Sequence, residues 1–182
     1  VGWGGLADCF DPKHSRYEEL KSLLSETEYA AARESTLTAF YTPPVVIRSI
    51  YAALGQMGFR QGNVLEPACG VGHFLGMLPD SMTESKIYGV ELDESRAEEA
   101  QTRLHRVGFG SFFYSRISHE AFHLLFLNPP YLSVINENGG RSRREKRFLI
   151  ESLPTLMYGG LLIYVIPYYR LTADICRILV DN

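Results

Sequence analysis

The chain has 182 residues, of which 46% are hydrophobic and 21% are charged, a balance typical of one soluble globular domain. Its formal net charge of −3 gives no overall attraction to nucleic acid, so any such affinity has to come from a local patch. Three widely separated cysteines give no disulfide framework and are typical of a reducing cytoplasm. No apolar run is long enough to span a membrane.

The first 36 residues predict an irregular arm followed by two short helices. Tyr17, Leu20 and Leu24 recur at spacings of three and four, which indicates a helix over residues 16–24. Good helix formers follow and predict a second helix over residues 27–37.

A third helix is predicted directly after Thr42, where two prolines follow. Thr42 can cap this helix and Pro43 fits its first turn, while apolar residues recur at helical spacing from Ile47 to Met57. Gly58 ends the pattern. We expect the helix to pack against the strand that comes next.

The segment 64–75 predicts a strand, a tight turn and the start of a helix. It opens with a short apolar run typical of a buried parallel strand, and Glu66 stands where the run ends. Gly70 and Gly72 allow a tight bend in which a ligand can approach main-chain N–H groups. Apolar residues from Phe74 onwards indicate the helix.

The glycine spacing separates this turn from those of nicotinamide and flavin enzymes. The next glycine, Gly76, comes one residue later than the G-x-G-x-x-G fingerprint requires. An acidic residue at the strand end also suits an ammonium group better than a pyrophosphate. We therefore expect a cofactor with a positively charged tail; a plain helix-packing turn is the alternative.

A second strand is predicted over residues 86–91, ending in Glu91 about 20 positions after the glycine turn. A carboxylate there can accept hydrogen bonds from both hydroxyls of a ribose, so Glu91 is the predicted ribose ligand. Asp93 is predicted to cap a helix that runs to about Val107, and residues 111–115 predict a third strand.

A fourth strand, residues 124–127, leads straight into the tetrapeptide 128–131, Asn-Pro-Pro-Tyr. Its two prolines lack N–H groups, so the loop presents rigid carbonyl acceptors. Together with the amide of Asn128 they can accept both hydrogens of a planar NH2 group, while the ring of Tyr131 stacks on its plane. This arrangement suits alkylation of a nitrogen; a Pro-Pro turn with a buried tyrosine is the alternative.

The stretch 134–147 is predicted to be a loop, and it carries five cations: Arg141, Arg143, Arg144, Lys146 and Arg147. Beside Asn128 these cations would suit contacts with phosphate groups, whereas a solvated helix start is the alternative. A helix over residues 148–157, closed by Gly159-Gly160, a buried strand over 161–166 and a helix over 171–180 complete the pattern.

Three segments, in this order, resemble class I S-adenosylmethionine-dependent amino-methyltransferases, most closely the N6-adenine DNA methyltransferases. They are residues 65–72 (LEPACGVG), 89–93 (GVELD) and 128–131 (NPPY). Residues 39–43 (AFYTP) resemble the F-x-T-P element ahead of the cofactor loop in the gamma arrangement. The resemblance covers roughly residues 37 to 170.

The resemblance implies a Rossmann-like α/β fold with a mainly parallel sheet and helices on both faces. It implies a methyltransferase domain over residues 37–182, preceded by an N-terminal arm and helices over 1–36. Members normally have seven strands, so with five predicted strands the sheet is expected to be truncated after the fifth. Many members also carry an acidic residue after the third strand for the cofactor's adenine, and residues 115–119 offer none.

The implied reaction is transfer of a methyl group from S-adenosyl-L-methionine to the exocyclic amino nitrogen of adenine in DNA, with no metal. The catalytic residues expected are Asn128, Pro129, Pro130 and Tyr131. The cofactor residues expected are Phe40, Tyr41, Thr42, Pro43, Glu66, Pro67, Ala68, Gly70, Gly72, Phe74, Glu91, Leu92 and Asn128.

DNA is the expected partner, with a further domain or subunit for target recognition. The first half of the chain also resembles the methyltransferase segment of large helicase-methyltransferase proteins of phages and mobile elements. Three other functions stay open: an RNA adenine or protein glutamine methyltransferase, a cytosine N4 methyltransferase, and a non-catalytic module that binds cofactor or DNA. The F-x-T-P element favours DNA.

Overall fold

The computed structural model describes residues 3–36, 41–104, 106–131, 133–135 and 141–182. It divides into two compact units, one of Val1–Tyr41 with Pro130–Leu132 and one of Thr42–Pro129 with Ser133–Asn182.

The first unit contains the two helices predicted near the N-terminus, α1 (Tyr17–Leu23) and α2 (Glu26–Ser35). Ser25 caps α2: its hydroxyl accepts from the Glu28 N–H, and the Glu28 carboxylate accepts from the Ser25 N–H at 2.9 Å. This reciprocal pair satisfies two backbone donors that a helix start leaves open. Both predicted helices are confirmed to within two residues.

The second unit is a parallel sheet with helices. Its helices are α3 (Pro44–Gln56), α4 (Glu94–Gln101), α5 (Arg144–Ser152) and α6 (Ala173–Asp181). Its strands are β1 (Asn63–Glu66), β2 (Lys86–Glu91), β3 (Arg106–Phe109), β4 (Phe122–Leu127), β5 (Ser133–Ile135), β6 (Arg141–Arg143) and β7 (Leu156–Tyr164). Five strands form one sheet in the order β3-β2-β1-β4-β7, with every pairing parallel, while β5 and β6 form an antiparallel ribbon. The predicted Rossmann-like sheet is confirmed.

Alternating side chains of the central strands fill two hydrophobic clusters. Val64 of β1 and Leu124 of β4 belong to one cluster, whereas Leu65 and Leu125, their neighbours in sequence, belong to the other. The first cluster also takes in buried side chains of α3, and the second those of α5 and α6. Because successive strand residues point to opposite faces, helices pack against both faces of this sheet.

The segment after the glycine turn does not form the predicted α-helix. It forms two short 3-10 helices, Leu75–Met77 and Asp80–Met82. The physical reason is Pro79, since a proline disfavours helical dihedrals in the residue before it. Leu78 accordingly has φ −56° and ψ 128°.

The third strand also differs from the prediction. The helix after Asp93 ends at Gln101, and the strand is β3, so the predicted helix end at Val107 and the predicted strand at 111–115 are both wrong. Residues 112–114 instead form a 3-10 turn. The aromatic run there is apolar because Phe112 packs into the second cluster, not because it extends the sheet.

Two further predictions are corrected downstream. The predicted loop 134–147 contains β5, β6 and the start of α5. Gly159-Gly160 lie inside β7, and the preceding helix ends before Pro154. None of the helices in the described part of the chain combines the length and apolarity that crossing a membrane requires.

We expect the buried side chains of the sheet to stabilise this unit, and a substitution of Leu124 tests this expectation. Its side chain has no exposed surface in the central strand β4. Leu124→Ala should lower the free energy of unfolding by about 2–5 kcal/mol, because it removes buried methyl groups and leaves a cavity. Denaturant unfolding measures the change. Leu23→Ala, at a side chain that is 73% exposed, is the matched control and should change stability by less than about 0.5 kcal/mol.

Candidate active site

The turn after β1 needs glycine at two positions. Gly70 has φ 55° and Gly72 has φ 75°, both in the left-handed region that other residues rarely adopt. A Cβ atom at Gly72 would also lie 3.0 Å from Cδ1 of Leu104. The turn therefore depends on these glycines both for its backbone conformation and for its packing.

The Glu91 carboxylate ties this turn to the end of β2. Oε2 accepts a hydrogen bond from the Gly70 N–H at 2.8 Å, and Oε1 accepts from the Asp93 N–H at 2.9 Å. A carboxylate has about four acceptor positions, so these two bonds still leave room for ribose hydroxyls. Asp93 in turn accepts from the Arg96 N–H at 2.9 Å and caps α4, as predicted.

A second brace on the turn comes from Arg103. Its guanidinium donates to the Val71 carbonyl oxygen at 2.7 Å and pairs with Glu99 at 2.8 Å. The sequence predicts only the exposed i, i+4 pair between Glu99 and Arg103. The contact with Val71 spans 32 positions, and no local pattern indicates it.

Glu66 is a buried carboxylate at the end of β1, with 5% of its surface exposed. Its Oε2 has no hydrogen-bond partner among the described residues. Burial, together with the negative charge of Glu91, raises the pKa of the Glu66 carboxyl well above its ordinary value. Such a group is costly to bury alone, so it indicates a position that a positively charged ligand group completes.

A stack of three aromatic rings supports the turn from below. The Phe74 ring lies 4.7 Å from that of Tyr51 and 3.3 Å from that of Phe126, centroid to centroid, and its plane is within 22° of both. The Tyr51 hydroxyl donates to the Phe74 carbonyl at 2.9 Å. Phe74 is buried in this stack, and its predicted role in cofactor binding stays a prediction. Tyr51 was not predicted, although it lies four residues after Ile47 on the buried face of α3.

Asn128 follows β4 and is held by Thr42. Its Nδ2 donates to the Thr42 hydroxyl oxygen at 2.9 Å. Thr42 therefore does not cap α3 as predicted: the N-cap residue is Pro43, and no side chain caps it. The hydroxyl bonds instead to a residue 86 positions away, which joins the start of α3 to the end of β4.

The parallel sheet brings Glu66, Glu91 and Asn128 to one edge. Each stands at or directly after the carboxyl end of its strand, and β2, β1 and β4 are neighbours. In open α/β sheets, ligands bind at this edge. Pro67, Ala68 and the two turn glycines follow β1 there, and Leu92, 61% exposed, follows β2.

Four other predicted site residues stay predictions. Tyr41, Pro130 and Tyr131 belong to the first unit, and Phe40 lies outside the described residues. Because β3 ends at Phe109, the residues that follow the third strand are Gly110 and Ser111, and neither is acidic.

The predicted phosphate-binding cations are partly engaged within the protein. Arg143 and Lys146 both pair with Asp174 at 2.7 Å, and hydrogen bonds from Lys146, Thr172 and Arg143 hold the pKa of Asp174 below its usual range. Arg147 lies 4.0 Å above the Phe113 ring. The side chain of Arg141 lies outside the described part of the structure.

Comparison with known families identifies the chain. Residues 34–182 match the model described as "Uncharacterised methyltransferase family (DUF6094)". The chain belongs to this methyltransferase family. A viral relative, "Type II methyltransferase M.CvrRI" of Paramecium bursaria Chlorella virus XZ-6E, is 33% identical over 94 residues. That match covers 52% of this chain and about a quarter, 24%, of the relative.

Solved methyltransferases share the fold. A Listeria monocytogenes protein assigned to the class I S-adenosylmethionine-dependent methyltransferases is 13% identical, with a TM-score of 0.60 over 97% of this chain and 68% of that one. A TehB-like S-adenosylmethionine-dependent methyltransferase from Corynebacterium glutamicum is 18% identical, with a TM-score of 0.54 over 94% and 83%. S-adenosyl-L-methionine is the cofactor that the family and the fold imply.

The residues at the carboxyl edge fit this cofactor. The unpartnered Oε2 of Glu66 suits the ammonium group of its methionine part, and Glu91 suits its ribose. When bound, the cofactor supplies an electrophilic methyl group on a sulfonium.

Glu66→Gln separates this binding role from a structural one. A carboxyl whose folded-state pKa is raised stabilises the protein fully only below its unfolded pKa, and it loses that contribution as the pH rises. Glutamine does not titrate. The stability of the variant relative to the parent chain should therefore increase as the pH rises above the ordinary pKa of a glutamate, as measured by denaturant unfolding without ligand.

The same variant should bind S-adenosyl-L-methionine about 10- to 100-fold more weakly at neutral pH, because it loses a charge-assisted hydrogen bond. Calorimetric titration measures the affinity. Glu84→Gln, at an exposed residue before β2, is the control and should change neither quantity. Unchanged affinity in Glu66→Gln would refute the binding role.

Proposed function

We propose that this chain transfers the methyl group of S-adenosyl-L-methionine to the exocyclic amino nitrogen of adenine in DNA. The observation that carries the proposal is Asn128, fixed by Thr42 at 2.9 Å and followed by Pro-Pro-Tyr, at the same sheet edge as Glu66 and Glu91. We therefore expect the methyl donor to lie next to the site that holds the target amino group.

The chemistry requires an acceptor for amino hydrogens, not a strong base. The lone pair of an adenine amino group is delocalised into the ring, which makes it a poor nucleophile. In the proposed reaction Oδ1 of Asn128 and the carbonyl oxygen of Pro129 accept hydrogen bonds from the two amino hydrogens. These hydrogen bonds favour the pyramidal form of the nitrogen. The hydrogen bond from Nδ2 to Thr42 fixes which end of the amide is the acceptor. Alignment of the nitrogen with the methyl group supplies most of the rate.

DNA is the proposed substrate because the matched viral relative is a type II methyltransferase and because residues 40–43 read Phe-Tyr-Thr-Pro. A base in a duplex has to leave the stack to reach such a site, at a cost of a few kcal/mol, and Tyr131 is the proposed stacking partner. For phosphate contacts we propose the cations of residues 141–147. Arg143 and Lys146 carry two positive charges and Asp174 carries one negative charge, so the three side chains together have a net charge of +1.

A competition assay tests the substrate class. Duplex DNA, RNA and an unfractionated protein extract are offered together with labelled S-adenosyl-L-methionine, and the labelled product is hydrolysed and identified by mass spectrometry. We expect N6-methyladenine from DNA. Label confined to RNA, to protein glutamine or to cytosine N4 would replace this proposal with the corresponding activity, and binding of cofactor without any transfer would indicate a non-catalytic module.

Asn128→Ala tests the catalytic centre. It should lower kcat by about 100-fold or more, as removal of a single polar group aimed at the reacting atoms does in other enzymes. The affinity for S-adenosyl-L-methionine should change by less than about threefold, because Glu66 and Glu91 remain. Asn182→Ala, at the exposed end of α6, is the matched control. Equal losses of cofactor binding and catalysis in Asn128→Ala would contradict the assigned role.

Thr42→Val tests whether the hydroxyl positions Asn128. The variant is close to isosteric but removes one hydrogen bond, so kcat should fall about 5- to 10-fold while KM for DNA stays nearly constant. Thr42→Ser keeps the hydroxyl and should restore kcat. Thr83→Val, which removes an exposed hydroxyl bonded to the Asp80 carbonyl, is the control. A Thr42→Val enzyme with unchanged kcat would exclude positioning through this bond.

A further inference from the structure

A cavity of about 400 Å³ lies on one face of the sheet, over β1, β2 and β3. Its floor is built from residues that share this face by strand alternation: Asn63, Leu65, Tyr88, Val90, Arg106 and Gly108. The cavity volume falls within the range of small-molecule sites, about 300–1,000 Å³.

The cavity exists because the connection between β3 and β4 contains no α-helix. In a doubly wound sheet a crossover helix normally covers the strands that it connects. Here residues 110–121, all of them described, form one 3-10 turn, Phe112–Tyr114, and otherwise irregular chain. Phe112 packs into the second hydrophobic cluster, and Ile117 and Phe122 form walls of the cavity.

Gly108, in β3, lines the cavity without a side chain that would fill it. A Cβ atom there would meet nothing closer than the Gly89 carbonyl oxygen, 4.0 Å away. The glycine is therefore not required by a crowded neighbour, and its φ is outside the left-handed region, so it is not required by a turn. Glycine inside a strand weakens the strand and often marks a place where a ligand approaches the backbone closely.

The charged side chains that line the cavity are the cations Arg106 and Arg116, beside the polar Asn63, Tyr88 and Ser118. Among the described residues no aspartate or glutamate lines it, in a chain whose net charge is −3. The Arg106 guanidinium lies 5.3 Å above the Tyr88 ring and donates to its hydroxyl at 3.3 Å. The guanidinium of Arg116 forms no ion pair with any other described residue. A cavity that combines the ring of Tyr88, the apolar side chain of Ile117 and two guanidinium groups suits a flat ring that carries an anionic group.

The cavity is separate from the cofactor site. Glu66 and Glu91 do not line it, and along their strands they alternate with Leu65 and Val90, which do. Their side chains therefore belong to the opposite face of the sheet. A ligand in the cavity would leave the carboxyl edge accessible.

We propose that this cavity binds a flat ring bearing an anionic group, either a nucleoside monophosphate or an aromatic carboxylate. The ring lies over Gly108, beside Tyr88 and Ile117, and Arg106 and Arg116 hold the anion. The inference does not depend on the substrate that is methylated.

Calorimetric titration tests the proposal while the cofactor site is saturated with S-adenosylhomocysteine, which prevents nucleoside binding there. The probes are adenosine 5′-monophosphate, uncharged adenosine and 4-hydroxybenzoate. We expect saturable binding of at least one anionic probe, with adenosine about tenfold weaker or more than its monophosphate if the site takes nucleotides. The tighter anionic probe identifies the source class.

Two kinds of variant locate the binding. Gly108→Leu fills the floor of the cavity, and Arg106→Ala with Arg116→Ala removes the charge; each should weaken the anionic probe at least about tenfold. Affinity for S-adenosylhomocysteine should stay within about threefold in every variant, which also reports correct folding. If Gly108→Leu does not fold, the single variant Arg116→Ala, at an exposed residue, locates the binding in its place.

Absence of saturable binding by both anionic probes would overturn the proposal. Binding that is unaffected by the arginine variants would overturn it as well, because the anion would then lie elsewhere. Neither result bears on the methyltransferase activity, which is measured with DNA in a separate assay.

Discussion

Two carboxylates at the ends of neighbouring parallel strands are the constraint on which the site depends. Glu66 ends β1 and Glu91 ends β2, and burial together with the negative charge of Glu91 raises the pKa of the Glu66 carboxyl well above its ordinary value. Glu91 is satisfied by two backbone N–H groups, whereas Oε2 of Glu66 is not satisfied among the described residues. Burial of such a group costs stability, and an ammonium group of a ligand would offset that cost. Cofactor binding and the protonation of Glu66 are therefore linked.

The rest of the site is rigid before any ligand arrives. Gly70 is hydrogen-bonded to Glu91, and Arg103 holds the Val71 carbonyl, so the turn is fixed from both sides. The ring of Phe74 is packed between two others beneath it. A site that is already ordered loses little conformational entropy on binding, which favours affinity. The Asn128 side chain is likewise held in place, by its hydrogen bond to the hydroxyl of Thr42 just before α3.

The sequence predicted the features that depend on local patterns. Continuous apolar runs ended by Glu66, Glu91 and Asn128 located three strands, and parallel topology then placed their ends at one edge. It failed where a residue serves a distant partner. Thr42 has the sequence context of a helix cap, yet its hydroxyl bonds to Asn128, and Tyr51 reads as one more core residue of α3 although its hydroxyl bonds to the turn.

The misplaced third strand has a different cause. Residues 106–109 contain one glycine and two apolar side chains, because β3 is an edge strand and its residues are more exposed than those of β1 and β4. The apolar run that follows it looks more like a strand than the strand itself. Apolar periodicity detects burial, and burial coincides with sheet membership only in the central strands.

That weak edge also explains why the two faces of the sheet differ. On the face that carries Val64 and Leu124, α3 and α4 supply the cover, and the chain can hold its carboxylates and glycine turn in a fixed frame. On the other face α5 and α6 cover β4 and β7, while the connection after β3, which contains no α-helix, leaves a cavity over β1 to β3. The cavity there is lined by two arginines and by Gly108, which has no side chain to fill it. Hydrophobic packing alone does not require this combination, whereas a bound planar anion would use it.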